Sequence, residues 1–159
     1  MIRPQALINM FGYNLKLVDE QVASMTHEES ILQPPFEGNC INWILGHLVS
    51  SRSTPLKLIG AQPVWTEAQT RFYRNGSLQY ETEGIIHLGE LVKAIYLTQE
   101  RLISRLQQLT YEDMCIPSGY QDNTIGDSLA YFQFHEAHHI GQLLILREIT
   151  GKKSVYPVF

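Results

Sequence analysis

The side chains best suited to chemistry in this chain are its six histidines: His27, His47, His87, His135, His138 and His139. Three of them fall in HEAHH, residues 135 to 139, inside the apolar run LAYFQFHEAHHIGQLLILRE. His135 and His139 stand four residues apart, so on a helix they share one face and lie about 6 Å apart along the axis. Phe132, Gln142 and Leu146 fall on that same face and direct it toward an apolar interior. Two imidazoles turned inward are costly unless something pairs with them. A metal ion does so well, because neutral imidazole is a preferred ligand of borderline divalent cations. His138 is rotated by about 100° from His139 and reads as a hydrogen-bonding residue at the rim of such a site.

The same five letters satisfy the zinc-protease pattern H-E-x-x-H. That architecture takes its third ligand from downstream. Only twenty residues follow His139, and their one acid, Glu148, lies on the same helix. The longer pattern with a glycine and a third histidine also fails: Gly141 is one place early and no histidine follows. A protease is therefore rejected, and the third ligand has to come from upstream. His47, in NWILGHLVSSR, can be that ligand. It lies on a helical stripe with Cys40 and Trp43, and Gly46 beside it removes a side chain and permits close approach of a neighbour. Cys40, seven residues earlier, would sit about 10 Å away along a regular helix, too far to share the ion. His27, in THEES, reads as a surface residue, and His87 as a minor further candidate. Spacing alone leaves two readings open: a three-histidine metal site, or imidazoles satisfied by side chains and water.

Four long segments with helical periodicity must position these residues. The first runs from Pro4 to Met25, with Leu7, Phe11, Val18, Val22 and Met25 along one stripe and Pro4 suited to a first turn. The second runs from Cys40 to Leu58, with Asn39 as its cap and Pro55 able to kink it or end it early. The third spans Ile85 to Leu109, where leucines and isoleucines keep a spacing of three and four. The fourth opens at Thr124-Ile-Gly-Asp127 and closes at Gly151. Strand signals are scarce, so the expected fold is an all-α four-helix bundle, a single domain over residues 1–159. Residues 60 to 84 form a long crossover between helices two and three, with Trp65, Phe72 and Tyr73 either as anchors for one end of the bundle or in a binding role. The apolar tail SVYPVF is expected to dock on the bundle or on a second subunit.

Composition narrows the function classes. A hydrophobic fraction of 44% with 18% charged residues belongs to a globular chain. The net charge of −4 offers no basic stripe for nucleic acid. No apolar run approaches the roughly 20 residues of a membrane span, and no signal peptide is visible. Two distant cysteines, Cys40 and Cys115, read as reduced thiols of a cytoplasmic protein.

GNCINWILGHLVSSR together with HEAHHIGQLLILREITG resembles the DinB-like superfamily of metal-binding bundles, the group that includes the bacillithiol transferases and the mycothiol-dependent maleylpyruvate isomerases. Its most specific words here are N-W-x-x-x-H and H-x-x-H-H-x-G-Q-L. The resemblance implies that His47, His135 and His139 bind a divalent ion such as zinc or nickel. It also implies a bacterial, cytoplasmic homodimer and a low-molecular-weight thiol as cosubstrate for attack on a small-molecule electrophile. The expected activity is thiol-dependent S-transfer or a related metal-dependent hydrolysis, with Glu136 or His138 moving the proton. For Glu136 the plainer expectation is a solvated helix carboxylate. The rival reading is a non-catalytic module in which the ion staples helix two to helix four.

Overall fold

The structure is a computed structural model that describes residues 2–74, 84–120 and 122–155. The chain opens with α1 (Pro4–Val22), which has proline in its first turn and buries Leu7, Phe11, Asn14, Val18 and Gln21. It stops three residues short of the predicted Met25. Ser24 takes a left-handed conformation with φ 60°, and the Arg147 guanidinium donates to the carbonyls of Gln21 and Ala23, satisfying acceptors that the helix end leaves open. A short α2 (His27–Ser30) follows under a reciprocal Thr26–Glu29 capping box.

The predicted second helix is two helices. α3 (Ile41–Ser51) begins after Cys40, which replaces Asn39 as the cap residue and makes no side-chain capping bond. α4 (Ser53–Leu58) begins after Arg52 and carries Pro55 in its first turn, where the missing N–H removes no helical bond. The crossover contains α5 (Glu67–Thr70) and a single 3-10 turn, Arg71–Tyr73. α6 (Leu88–Leu106) is shorter at both ends than its periodic stripe suggests, and His87 caps it. α7 (Tyr111–Met114) plugs the next connection with a fully buried Met114. α8 (Ile125–Ile149) starts at the expected Thr124–Asp127 capping box, and Gly151 follows its end at φ 80°. Among the described residues there is no strand, only one isolated bridge between Pro117 and Thr124.

The four longest helices close a ring, with α1 against α6 and α8, and α3 against the same two. Contacts fix their directions. Asn14 reaches the Gln133 carbonyl and Gln21 the Arg147 side chain, so α1 and α8 run parallel. Asn42 reaches the Ile86 carbonyl and Arg52 reaches Thr98, so α3 and α6 are parallel too. A connection between parallel neighbours has to retrace the length of the bundle. This is why the segment between α4 and α6 is long.

Two apolar clusters fill the interior. One gathers Leu7, Phe11, Leu56, Leu102, Leu106, Met114 and Leu129 at one end. The other surrounds Trp43, Ile44, Leu91, Ile95 and Leu143, with the crossover residue Tyr73 inside it. Between them lies a buried ion pair. Arg52 donates from Nε and Nη2 to both oxygens of Glu136 at 2.8 and 2.7 Å, and from Nη1 to Thr98 Oγ1 at 2.9 Å. The start of the tail docks on the bundle: Ser154 donates to the Leu144 carbonyl, and Gln21 donates to that of Val155. The remainder of SVYPVF lies outside the described residues.

Candidate metal centre

His47, His135 and His139 meet between α3 and α8, with one potential ligand atom from each lying within 4.8 Å of the others. The Nε2 of His135 is 3.3 Å from that of His47 and 3.2 Å from that of His139. These separations match the edge, about 3.3 Å, of a tetrahedron with metal–nitrogen bonds of about 2.0–2.1 Å.

The outer nitrogens explain why the rings point as they do. His47 Nδ1 donates to the Tyr73 carbonyl at 2.8 Å, and His139 Nδ1 donates to Gln142 Oε1 at 2.8 Å. A proton on Nδ1 leaves Nε2 with a lone pair in a neutral ring, so both rings aim acceptors at the common point. Trp43 stacks on His47 with centroids 4.8 Å apart and planes 7° from parallel, which holds the plane of that ring. Tyr73 is itself held by Gly46: a Cβ there would sit 2.5 Å from Tyr73 Cγ and nearer still to two other ring atoms. The tyrosine hydroxyl donates to Asn42 Oδ1 at 3.2 Å and accepts from the Ile86 N–H at 2.9 Å.

Hydrogen-bond accounting tests whether a cation fits. His135 Nδ1 is buried with no partner. Neutral His135 carries one proton, and two facing lone pairs from His47 and His139 compete for it. A buried acceptor left unmatched costs about 1–3 kcal/mol. One divalent ion accepts all three lone pairs together, so the residues fit a metal better than they fit one another. The titration of the rings agrees. Burial pushes the His47 pKa below its usual value, against the opposing bond to the Tyr73 carbonyl. Burial, then the neighbouring His47 and His138, lowers His135. Burial takes His139 down to about 4. All three are neutral, ligand-ready imidazoles at pH 7.

A cleft of about 500 Å³ opens beside His47 and continues along Ser50, Ser51, Thr54 and Lys57, with Gln62, Trp65 and Arg74 opposite. Its size is that of a small-molecule site. A larger hollow of about 670 Å³ near Arg3, Ile8 and Tyr111 lies by the other apolar cluster and has no histidine in its lining.

The remaining candidates are elsewhere. Glu136, named for proton transfer and otherwise expected to be solvated, is 2% exposed with both oxygens on Arg52. That corrects the solvated expectation and ties both carboxylate oxygens to Arg52, not to the three-histidine group. His138 lies on the exposed outer side of α8, its ring 5.3 Å from that of His139. His87 is stacked on His27 at 4.6 Å, and their Nδ1 atoms accept from the Gly89 and Leu88 N–H groups. They tie α2 to the start of α6 and take no part in the three-histidine group. Cys40 is likewise outside it. Sequence reasoning named Tyr73 only as an aromatic of the crossover, not as the partner of His47, and it did not single out Arg52. The available signal was Gly46, which implied a close neighbour without naming it.

No curated protein sequence matches the chain. Among the described residues, no helix is long and apolar enough to cross a membrane. The family model of the DinB superfamily matches residues 12–143, a span that takes in all three histidines, and the chain belongs to that superfamily.

Proposed function

We propose that this protein is a divalent-metal-dependent enzyme acting on a small molecule, most simply by transferring a low-molecular-weight thiol to an electrophilic carbon. The carrying observation is the convergence of three Nε2 atoms, two of them on rings oriented by outer hydrogen bonds, beside a polar cleft that His47 lines. His47, His135 and His139 would hold the ion, with zinc or nickel suited to three imidazoles. When bound, such an ion supplies Lewis acidity that lowers the pKa of a thiol or water placed against it.

The chain's own residues do the rest. Tyr73 and Gln142 fix the ligand tautomers, and Trp43 fixes the plane of the His47 ring. The hydroxyls of Ser50, Ser51 and Thr54 orient a polar substrate along the cleft. In the transfer the thiol sulfur forms a bond to carbon as the bond from carbon to its leaving group breaks. The thiol proton passes to solvent at the rim, where His138 is the exposed imidazole nearest His139. Hydrolysis, with water in place of the thiol, is the closely related chemistry. The setting is the cytoplasm of a bacterium.

The test is metal analysis of the purified protein, with thiol-conjugation and esterase assays before and after chelation. Loss of turnover on chelation and recovery with added zinc or nickel supports the proposal. Undiminished turnover in metal-free protein rejects it. A second reading has one observation in its favour: the ligands join α3 to α8, so an ion there ties together helices distant in sequence. If His47→Ala abolishes metal-dependent stabilisation while the wild type turns over no substrate, the ion is structural.

A further inference from the structure

The cleft beside His47 keeps one chemistry along its length. His47, Ser50, Ser51, Thr54 and Lys57 all line it, and steps of three and four residues place them on one helical face. The joint at Arg52 does not turn that face away. Arg52 has φ −63° and ψ −14°, its N–H donates to the Leu48 carbonyl, and its own carbonyl accepts from the Leu56 N–H. The row therefore starts at one of the three converging histidines and ends at a lysine about 15 Å further along the axis.

The side chains of the row hold donors without acceptors. Ser50 is 7% exposed, yet its hydroxyl has no hydrogen-bond partner among the described residues. Its neighbour Ser51 shows the ordinary arrangement, donating back to the Leu48 carbonyl. A buried hydroxyl with no partner costs free energy, and an acceptor brought in by a ligand removes that cost. The Thr54 hydroxyl and the Lys57 ammonium also lack a partner among the described residues.

Charge selects the kind of acceptor. Glu67 is the one acid among the described residues of the lining, and it is paired with Arg74. The three imidazoles are neutral at pH 7, and Glu136 is matched by Arg52. Lys57 is thus a single unmatched positive charge in a chain whose net charge is −4. Pro63 and Trp65 add apolar surface to the same cleft.

We infer that the cleft takes an elongated monoanion, a small molecule whose reactive end lies at the histidines and whose carboxylate is bound by Lys57. Its apolar stem lies along Pro63 and Trp65, and Ser50 and Thr54 donate to polar atoms between the two ends. The inference rests on the reading of this cleft as the substrate site of the metal centre. One ammonium matches one carboxylate, whereas a phosphate monoester at about −1.5 to −2 would leave charge unmatched. Lys57 is exposed, so water screens the pair and the lysine contributes selectivity more than affinity.

The test is calorimetric titration of the zinc-loaded full chain with 8-mercaptooctanoate and with its uncharged twin, 8-mercaptooctanamide. The carboxylate is expected to bind about 5-fold more tightly than the amide, with a preference that shrinks as salt is added. Lys57→Met is expected to bring the two dissociation constants together, and Lys57→Arg to keep them apart. Both changes are at an exposed position and leave the core alone. Equal binding of the two probes to the wild type, no binding of either, or a preference that survives Lys57→Met overturns the inference. The readout needs no turnover. A Lys57-dependent preference in a protein that transfers no thiol rejects the proposed reaction and leaves the inference standing. Thiol transfer from both probes with equal dissociation constants does the reverse.

Discussion

Replacing Gly46 with alanine is the sharpest test of how this site is assembled, because it adds one methyl group outside the ligands. On propensity alone the change stabilises α3 by up to about 1 kcal/mol. The added Cβ falls inside the Tyr73 ring, 2.5 Å from Cγ, where carbon contacts are optimal at about 3.5–4.0 Å. The ring must therefore leave. Tyr73 is 3% exposed, and losing that burial costs about 2–3 kcal/mol. Its hydroxyl bonds to Asn42 and the Ile86 N–H contribute about 1 kcal/mol each. The net expectation is a loss of about 3 kcal/mol, or roughly 6–12 °C in melting temperature for a chain of this length.

The consequence for the metal is separable. Displacing the tyrosine moves its backbone carbonyl away from His47 Nδ1, and removing such an orienting partner typically weakens metal binding 10–100-fold. Competition for zinc against a chromophoric chelator measures this directly. Tyr73→Phe is the control: it keeps the ring and the carbonyl and loses only the hydroxyl. It should melt lower by a few degrees while holding zinc within about 3-fold of wild type. A Gly46→Ala protein that melts and binds zinc like the wild type would refute the proposed packing and the role of the carbonyl together.

Other outcomes follow from the same geometry. His47→Ala should abolish the rise in melting temperature that excess zinc gives the wild type, a rise worth about 4 kcal/mol at a thousandfold excess over Kd. Glu136→Ala leaves the Arg52 guanidinium buried without its counter-ion and should cost about 3–5 kcal/mol in urea unfolding. Glu136→Gln should recover part of that loss. His139 titrates at about 4 in the folded chain against 6.5 for the unperturbed group, so the unfolded chain binds more protons between those values. Stability of the metal-free protein should therefore be level above about pH 6.5 and fall as pH drops toward 4, by up to about 3 kcal/mol from this residue alone. A metal-free protein whose stability rises on acidification through that window would contradict it. Because all three ligand pKa values are lowered, zinc affinity should fall less from pH 7 to 6 than the roughly 30-fold expected of three imidazoles at the ordinary 6.5, and a loss of that size would count against the burial of the rings.

What the sequence disclosed and what it hid divide along a physical line. The ligand pair on α8 was visible because two histidines four apart must share a helical face, and the capping box at Thr124 was visible because it is a local pattern. His47 was reachable as a candidate from its stripe with Trp43 and the missing side chain at Gly46, and the family resemblance assigned it. The bond of the Tyr73 carbonyl to His47, and the role of Arg52, were not reachable. Each acts across the bundle, through a carbonyl or a guanidinium whose partner lies 26 residues away in one case and 84 in the other. No periodicity records such pairings. The break at Arg52 shows the limit well. The apolar stripe from Cys40 to Leu58 is continuous, so a single helix was the natural reading, and Pro55 pointed to a disturbance without locating it. The structure puts the joint at the residue whose guanidinium then enters the bundle and holds Glu136 of α8. Glu136 follows His135 directly, so the ion pair fixes the rotation of α8 about its axis. Once that rotation is set, His135 and His139 face α3, while His138 and Phe134 face outward. The metal centre is thus a consequence of that helix orientation, and a variant that loosens the Arg52–Glu136 pair should weaken zinc binding as well as lower stability.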